Sequence, residues 1–244
     1  MLETDSNLDE SVLIYISDHG LKGKWSVRET GLKIPMVIRW PNVIRPNTTN
    51  DNLVSIVDIL PTIIEISGGK KIENLDGKSL MPILSNTNIS LRDYIFGIAT
   101  RQNIQKCYVF PSRSVRDKRY KYVVNFNAKE KVQNNLGSNK NVNYFIERGA
   151  NEFDNVPFEE LYDLEEDPYE HVNLANDNNL LSIKQKLSAV LRDWMIDQND
   201  ILIQHKMPLI KPTLHPLDRS SKWNNPKKET EFTLSSTDYI SSHY

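Results

Sequence analysis

Apolar and polar positions divide the chain into short strand-like runs, helices and polar connections. Val12–Ile16 is apolar and largely β-branched, without helical spacing, and it predicts a strand buried on both faces. Met36–Trp40 predicts a second strand after Pro35. Leu180–Gln198 repeats apolar residues at intervals of three and four, which is typical of an amphipathic helix. The chain therefore mixes strands and helices in an α/β arrangement.

The middle of the chain predicts a second helix and a hairpin. Asp58–Ser67 forms the helix in this interpretation, with a proline in its first turn and two glycines after its end. Arg92–Ala99 predicts a strand, and Arg113–Arg116 with Tyr120–Phe126 predicts a hairpin. Basic and apolar residues alternate along this hairpin, which predicts a sheet covered on one side only. The polar segment 129–155 has no periodicity and predicts a long loop.

Composition narrows the class of protein. The 244 residues carry a formal net charge of −2, which gives no general attraction to nucleic acid or anionic membranes. A single cysteine, Cys107, excludes an internal disulfide. No apolar run reaches the roughly 20 residues of a membrane span, and the acidic N-terminus does not resemble a signal peptide.

The clearest candidate chemistry follows the first predicted strand. Ser17, Asp18, His19 and Gly20 stand at its carboxyl end, where open α/β sheets bind ligands. A carboxylate oxygen and an imidazole nitrogen are both competent ligands for a divalent cation. The alternative is purely structural, with Asp18 starting a turn and His19 capping it.

The residues after this turn favour the chemical interpretation. Gly23-Lys24, Gly31 and Pro35 before the second strand have a spacing that resembles the sulfatase branch of the alkaline-phosphatase-like superfamily. This chain has Arg28-Glu29-Thr30-Gly31 where that family often has Tyr-Glu-Gly-Gly. The resemblance implies that Asp18 and His19 bind Ca²⁺ and that Lys24 contacts the sulfate group in a catalytic role.

Two later segments strengthen the resemblance. Glu160–Ala175, with its Glu-Leu-Tyr-Asp-Leu, Asp-Pro and Asn-Leu-Ala elements, is similar to a segment near the C-terminus of many sulfatases. Physically it predicts a strand, an Asp-Pro turn and a helix entry, so its expected role is structural. Tyr108–Arg116 resembles a strand of the heparan N-sulfatase (sulfamidase) subgroup.

The nucleophile of that family is not found in the chain. Sulfatases convert a Cys or Ser to formylglycine within a short motif that ends in Pro-x-Arg or Pro-Ser-Arg. Cys107 stands two residues too far from Pro111 and lies after the Asp-His-Gly turn instead of far before it. Cys107 is therefore interpreted as a packing or surface residue, and the formylglycine and further strands are expected upstream.

Basic residues near the hairpin offer candidates for substrate contact. Arg101 and Arg113 are predicted to bind the anionic substrate, because a guanidinium group makes bidentate contacts with sulfate or carboxylate. Nucleic-acid binding by the same region is less favoured, because alternating charge is the ordinary pattern of a half-covered sheet.

The resemblance therefore predicts the C-terminal portion of a formylglycine-dependent sulfatase. Residues 1–88 are expected to end the large α/β sandwich domain, 89–200 to form a small antiparallel-sheet domain with a packed helix, and 201–244 to form an extended tail. The expected activity is hydrolysis of a sulfate ester or N-sulfate on a sulfated sugar or glycosaminoglycan, with the chain inactive alone. The missing N-terminal half is an expected partner, and full-length relatives would be periplasmic, secreted or lysosomal. Two alternatives remain open: a phosphodiesterase or phosphonate hydrolase of the same superfamily, and a non-catalytic module that binds sulfated glycans through arginines such as Arg92.

Overall fold

A computed structural model describes residues 8–20, 26–85, 88–102, 109–126, 156–204, 206–208 and 239–241. The chain divides into two compact units. The first unit contains Met1–Lys24, Glu29–Ile95 and Arg116–Arg119, and the second contains Trp25–Arg28, Phe96–Val115 and Tyr120–Tyr244. Each unit is described by itself.

Among its described residues, the first unit contains one short sheet and three α-helices. Strands β1 (Leu13–Ile16) and β2 (Met36–Arg39) pair antiparallel, with Leu13 opposite Arg39 and Tyr15 opposite Val37. The helices are α1 (Glu29–Leu32), α2 (Ile59–Ile66) and α3 (Met81–Ser85). Both strands and α2 confirm the predicted elements. The expected burial of β1 on both faces is wrong for this chain, because Leu13 and Tyr15 are exposed on a sheet of only two strands.

Asp58, at the N-terminus of α2, ties together three segments of the first unit. Its fully buried carboxylate accepts hydrogen bonds from the backbone N–H groups of Ser55 and Lys78, at 2.7 and 2.8 Å. The guanidinium group of Arg92 pairs with the same carboxylate. One buried side chain thus fixes the segment before α2, the Asp-Gly-Lys-Ser turn before α3 and the approach to the next strand.

Close backbone packing completes this arrangement. Thr62 Oγ1 donates to the Asp58 carbonyl at 2.6 Å and accepts from the Leu80 N–H at 2.9 Å. A Cβ atom at Gly77 would lie 2.0 Å from the carbonyl oxygen of Val57, so only glycine permits this approach. The predicted role of this region as core and connection agrees with these contacts.

A four-stranded sheet forms the centre of the second unit. Its strands run in the order β3 (Ile95–Gln102), β4 (Val109–Arg116), β5 (Tyr120–Asn125) and β6 (Glu159–Asp163), and β5 and β6 are antiparallel. Helix α4 (Leu181–Asp197) contacts β5 and buries Leu187, Leu191 and Met195. The predicted hairpin and amphipathic helix are therefore confirmed.

Both faces of β5 are buried, which differs from the prediction of a half-covered sheet. Tyr122 and Val124 point to one face, and Lys121 and Val123 point to the other, yet none of the four is more than 1% exposed. Val123 clusters with Val27 and Ala99 on its face. The alternation of charged and apolar residues predicted one exposed face, but the charged side chain on β5, Lys121, is buried in an ion pair.

Lys121 forms a buried ion pair with Glu170. Lys121 Nζ lies 3.0 Å from Glu170 Oε1, and both side chains are only 1% exposed. Glu170 has a backbone φ of +59°, a conformation that a residue with a Cβ atom seldom adopts. The ion pair gives a reason for this backbone conformation, since the conformation brings the carboxylate to a buried positive charge on β5.

The segment from Glu160 to Ala175 has the structural role predicted for it. The Asn173 side-chain oxygen accepts from the N–H groups of Leu161 and Ala175, and the Leu174 N–H donates to the Leu161 carbonyl. The Asp167 carboxylate accepts from the Val172 N–H, and this bond lowers the pKa of Asp167. The motif therefore returns the chain along β6 and leads it into α4.

The remaining described residues form a small sheet near the end of the chain. Strands β7 (Lys206–Pro208) and β8 (Tyr239–Ser241) pair antiparallel, with Met207 opposite Ile240. The predicted extended tail thus includes one paired element. Among the described residues, no helix has the length and apolar character needed to cross a bilayer. The predicted loop over 129–155 lies outside the described residues.

We predict that Lys121→Ala destabilises the second unit by about 3 kcal/mol, because the buried Glu170 carboxylate loses the positive charge that lies 3.0 Å away. Urea unfolding followed by the fluorescence of Trp194, which stacks on Phe96 with ring centroids 4.5 Å apart, measures the change. Lys118→Ala, at an exposed position in the β4–β5 turn, is the matched control and should have little effect. Equal stability of the two variants would contradict the prediction.

Candidate functional site

The Asp-His-Gly turn at the end of β1 is fixed by local hydrogen bonds. Ser17 Oγ donates to the His19 carbonyl at 2.8 Å, and the His19 N–H donates to Asp18 Oδ1 at 3.0 Å. The Asp18 side chain remains 80% exposed, while the His19 side chain is partly covered. The turn therefore holds its backbone in place and leaves the carboxylate free to meet a ligand.

The hydrogen bond of the His19 ring determines its tautomer. Nδ1 lies 2.6 Å from the carbonyl oxygen of Gly20, which can only accept a hydrogen bond. Nδ1 therefore carries the proton, and Nε2 of the neutral ring presents its lone pair. Nε2 lies 3.6 Å from Asp18 Oδ2, so the two potential ligand atoms are neighbours.

Gly20 is required by a close approach of the backbone. Its N–H donates to the Gly31 carbonyl at 2.9 Å, and a Cβ atom here would lie 2.3 Å from the Thr30 carbonyl oxygen. The contact with Thr30 and Gly31 is the constraint that the structure adds, and it fastens the turn to α1.

The donor set was tested against the calcium ion that the family resemblance implies. Two ligand atoms that each lie about 2.4 Å from one ion are roughly 3–5 Å apart, so the Asp18 and His19 atoms could share an ion. Calcium takes six to eight oxygen ligands, however, and the described part of the chain contains no group of three or more His, Cys, Asp or Glu side chains that could hold a metal. The described residues therefore do not form a calcium site by themselves.

Glu29, at the start of α1, is held by an ion pair that sequence reasoning missed. Its carboxylate is buried and lies 2.6 Å from Arg116 Nη1. Arg116 also donates to the carbonyls of Asp117 and Lys118. The Thr30 and Gly31 carbonyls that contact Gly20 belong to α1. The ion pair holds α1 in place and therefore helps to hold the Asp-His-Gly turn that packs against it.

A second missed cluster surrounds Arg28 in the second unit. Its guanidinium group bonds to the Glu160 carboxylate and the Tyr162 hydroxyl, and it stacks over the Tyr162 ring at 5.0 Å. Asn125 donates to the other Glu160 oxygen at 2.6 Å. No local signal identifies this cluster, since Arg28 and Glu160 are 132 residues apart in sequence. It explains physically why Glu160 and Tyr162 occur in the motif.

The pKa values of this cluster are shifted in directions that keep it intact. Burial is the largest single influence on Arg28 and opposes its charge, but the Glu160 carboxylate, the Tyr162 hydroxyl and Glu170 together outweigh burial, and the pKa of Arg28 is raised. Burial and the hydrogen bond to Glu160 raise the pKa of Tyr162 well above its ordinary value of 10.0. Tyr162 is therefore a neutral donor at physiological pH.

The predicted substrate arginines have different environments. Arg113 is buried, and its guanidinium group pairs with Asp200 and donates to the Ala99 carbonyl. Arg101 lies within β3. Arg92, named in the glycan-binding alternative, pairs with Asp58. Lys24 and Cys107 lie outside the described residues. The structure brings Asp18 and His19 together, and the substrate contacts of Lys24, Arg101 and Arg113 stay predictions.

Comparison of the fold with solved structures defines the class of protein. A protein solved with its substrate D-glucosamine-2-N,6-O-disulfate matches 82% of this chain with a TM-score of 0.63 and 19% identity, over 37% of its own length. A 2-O glycosaminoglycan sulfatase matches 83% of this chain with a TM-score of 0.62 and 22% identity, over 40% of its length. The chain has the fold of the alkaline-phosphatase-like sulfatases, as the sequence predicted.

Sequence comparison identifies the family. Residues 17–140 match the family described as N-sulphoglucosamine sulphohydrolase, C-terminal, and the chain belongs to it. It is also 45% identical over 237 residues to an ulvan-active sulfatase of Formosa agariphila, a match that covers 95% of this chain and 48% of that protein. The chain thus spans about half the length of this relative.

We expect Gly20→Ala to displace the Asp-His-Gly turn, because the new methyl group would meet a backbone carbonyl that cannot move aside. Such overpacking costs about 1–3 kcal/mol, so exchange of the amide at position 20 should accelerate at least ~5-fold. Gly68→Asn is the control, since Gly68 has open space around it and asparagine accepts its φ of +68°. Unchanged amide exchange in Gly20→Ala, measured by NMR, would refute this account of the turn.

The raised pKa of Tyr162 predicts a loss of stability in alkali. Below pH of about 10 both folded and unfolded states keep the proton, so the contribution of Tyr162 is fully present. As the pH rises further, the unfolded state releases the proton before the folded state does, and the free energy of unfolding falls. Urea unfolding across this range should show a shallower alkaline decline for Tyr162→Phe than for the unmodified chain. Tyr169→Phe, at an exposed tyrosine, should leave the slope unchanged.

Proposed function

We propose that this chain forms part of a sulfatase that hydrolyses a sulfate ester or N-sulfate on a sulfated sugar or glycosaminoglycan. In this proposal residues 1–88 end the large α/β domain, 89–200 form the small domain and 201–244 form the tail. The chain contributes one wall of the active site, and the remaining groups come from sulfatase sequence that it does not span.

One observation carries the proposal: the exposed Asp18 carboxylate and the oriented His19 ring stand at the end of a strand in a chain similar to a sulfatase along almost its whole length. An exposed acid beside an imidazole with a free Nε2 is suited to an ion or an anionic substrate.

Each residue of the proposed site has a distinct role. Asp18 and His19 would provide two ligands to one Ca²⁺ ion, and the rest of its ligands would come from outside the described residues. Lys24 would contact the sulfate and offset negative charge that develops on its oxygens. Bound calcium and a formylglycine would supply the Lewis acid and the nucleophile of the reaction.

The chain's own residues prepare this site before substrate arrives. The Gly20 carbonyl holds the proton of His19 on Nδ1, so Nε2 is aimed without a change of tautomer. The Ser17 hydroxyl and the His19 N–H fix the backbone on either side of Asp18. The Glu29–Arg116 pair holds α1, against which Gly20 packs. Such preorganisation lowers the cost of bringing charged groups together at the moment of reaction.

Arg101 and Arg113 remain proposed substrate contacts, and each is a weaker candidate than Lys24. Arg113 would have to exchange its bond to Asp200 for one to substrate, which makes it a weaker candidate than Lys24. The heparan-type and ulvan-type polysaccharides are both acidic sulfated sugars, and either class would suit a site with Lys24 and a bound cation. A periplasmic, secreted or lysosomal location would follow from such a substrate.

A chimera tests the proposed function. The 237-residue matched region of the Formosa agariphila ulvan-active sulfatase would be replaced by this chain, and hydrolysis of ulvan oligosaccharides and of 4-nitrophenyl sulfate would be measured. We expect activity in the chimera and a fall in kcat/KM of at least ~100-fold in Asp18→Asn and in Lys24→Ala, because each removes charge stabilisation in the transition state. Lys33→Ala, at an exposed position after α1, is the control and should retain activity.

Three results of this experiment would count against the proposal. A chimera that hydrolyses 4-nitrophenyl phosphate in preference to the sulfate would favour the phosphodiesterase alternative. Full activity in Asp18→Asn would remove Asp18 from the site. Turnover of 4-nitrophenyl sulfate by the 244-residue chain alone, abolished by Asp18→Ala, would show that the chain contains a complete active site.

A further inference from the structure

An open groove of about 730 Å³ lies beside helix α4 in the second unit, and none of its residues belongs to the candidate site. Helix α4 contributes most of its lining, and Glu159 of β6 and Ile203, from the 3-10 helix Ile201–Gln204, contribute the rest. The volume is in the range of roughly 300–1,000 Å³ that is typical of ligand-binding sites. The groove is therefore large enough for a ligand, and its side chains indicate which kind.

Three polar side chains of α4 form a row along the groove. Lys184, Ser188 and Arg192 follow one another at intervals of four residues and all line the groove, so they share one face of the helix. At a helical rise of about 1.5 Å per residue, the Cα atoms of Lys184 and Arg192 are about 12 Å apart along the helix axis. This span exceeds the length of one sugar ring, so the groove has room for a segment of an oligosaccharide.

The charges that line the groove leave one positive charge without a counter-charge. Glu159 is the one acidic residue among the described residues of the lining, and Lys184 Nζ lies 3.5 Å from its Oε2 atom. The Tyr122 hydroxyl donates to Glu159 Oε1 at 2.5 Å. Arg192 is exposed, and no hydrogen bond or ion pair joins its side chain to another described residue. Lys184 and Glu159 therefore compensate each other, and Arg192 gives the groove its net charge.

The other charged residues of α4 lie away from the groove. Lys186, Asp193 and Asp197 do not line it. At 3.6 residues per turn, each is rotated about 100° or more around the helix from Arg192. An anion bound at Arg192 thus faces no carboxylate from the same helix.

The lining combines the groups that recognise a sulfated sugar. The guanidinium group of Arg192 is suited to bidentate contact with a sulfate. Gln185 and Ser188 offer donors and acceptors for hydroxyl groups, and neither side chain bonds to another described residue. Ala189 and Ile196 provide apolar surface for the face of a sugar ring. Nucleic acid, another polyanion, is less suited, because a chain with a net charge of −2 has no general attraction to it.

We propose that the α4 groove binds a segment of a sulfated polysaccharide, with Arg192 at a sulfate and with Gln185 and Ser188 at hydroxyl groups. The class of ligand rests on the proposed function, while the position of the site rests on the shape and charge of the groove. A polysaccharide would then contact this chain at the groove as well as at the candidate site. Two contacts on one polymer raise its affinity above that of either contact alone.

Binding of a heparin hexasaccharide to the 244-residue chain, measured by isothermal titration calorimetry, tests the proposal. We expect Arg192→Ala to raise Kd about 5-fold and Arg192→Glu at least ~10-fold, because the first removes a charge-assisted contact and the second adds repulsion. Kd should rise with salt concentration, and less steeply in Arg192→Ala than in the unmodified chain. A chemically desulfated hexasaccharide should bind at least ~10-fold more weakly than the sulfated one.

Matched variants separate the groove from other positive charges. Lys186→Ala and Lys186→Glu make the same changes at an exposed position of the same helix, outside the groove, and should bind as tightly as the unmodified chain. Lys24→Ala, in the candidate site, should retain binding because the groove does not include Lys24. Equal midpoints of urea unfolding would show that the variants remain folded.

Each remaining outcome has a definite meaning. The absence of binding, equal weakening by Arg192→Glu and Lys186→Glu, or equal affinity for the desulfated hexasaccharide would overturn the proposal. Binding that Lys24→Ala abolishes and Arg192→Glu leaves intact would also overturn it, since the sugar would then lie in the candidate site. Tighter binding of single-stranded DNA, lost in Arg192→Glu, would make nucleic acid the ligand and overturn the proposal.

Failure of this proposal is distinguishable from failure of the proposed function. Hexasaccharide binding that depends on Arg192, in a chain whose chimera hydrolyses no sulfate ester, would sustain the groove as a sugar site and count against the proposed function. An active chimera whose 244-residue chain binds the hexasaccharide independently of Arg192 would sustain the proposed function and overturn the groove.

Discussion

The pairing of buried charge is the constraint on which both units depend. Five carboxylates with side chains no more than 8% exposed are each met by one basic group: Glu29 by Arg116, Asp58 by Arg92, Glu160 by Arg28, Glu170 by Lys121 and Asp200 by Arg113. An isolated buried charge costs several kcal/mol, so each pair fixes two distant segments to one another. These ion pairs bury several basic residues that the sequence alone would place on the surface.

This use of charge affects how the candidate site is understood. Some arginines that the sequence suggests as contacts for an anionic substrate are instead buried in ion pairs. Arg113, which pairs with Asp200, is the clearest case. Among the described residues, the Asp18 carboxylate contacts the neighbouring imidazole and stays exposed. This exposure, on a turn held by hydrogen bonds, is the observation that supports the proposed role of Asp18 as a ligand.

Buried apolar side chains are distributed unequally between the two units. The second unit encloses a sheet between α4 and the Val27–Arg28 segment and buries most of the core. The first unit carries the Asp-His-Gly turn on a two-stranded sheet, and only three of the buried hydrophobic residues in the described part of the chain belong to this unit.

The sequence by itself determined the secondary structure and the family. The sequence predicts the β-branched strands, the helix that begins after Asp58 and the amphipathic helix α4. These elements depend on local periodicity and on the positions of Gly and Pro, so they can be predicted without a structure. The Asp-His-Gly turn and the Glu-Leu-Tyr-Asp-Leu segment are also short local motifs, so the sequence alone was enough to recognise them. Only the tertiary structure decided which face of β5 is covered, where Lys121 and Arg113 find their partners, and why Gly20 must be glycine. These features depend on contacts between residues far apart in the chain, and no local pattern encodes such distances.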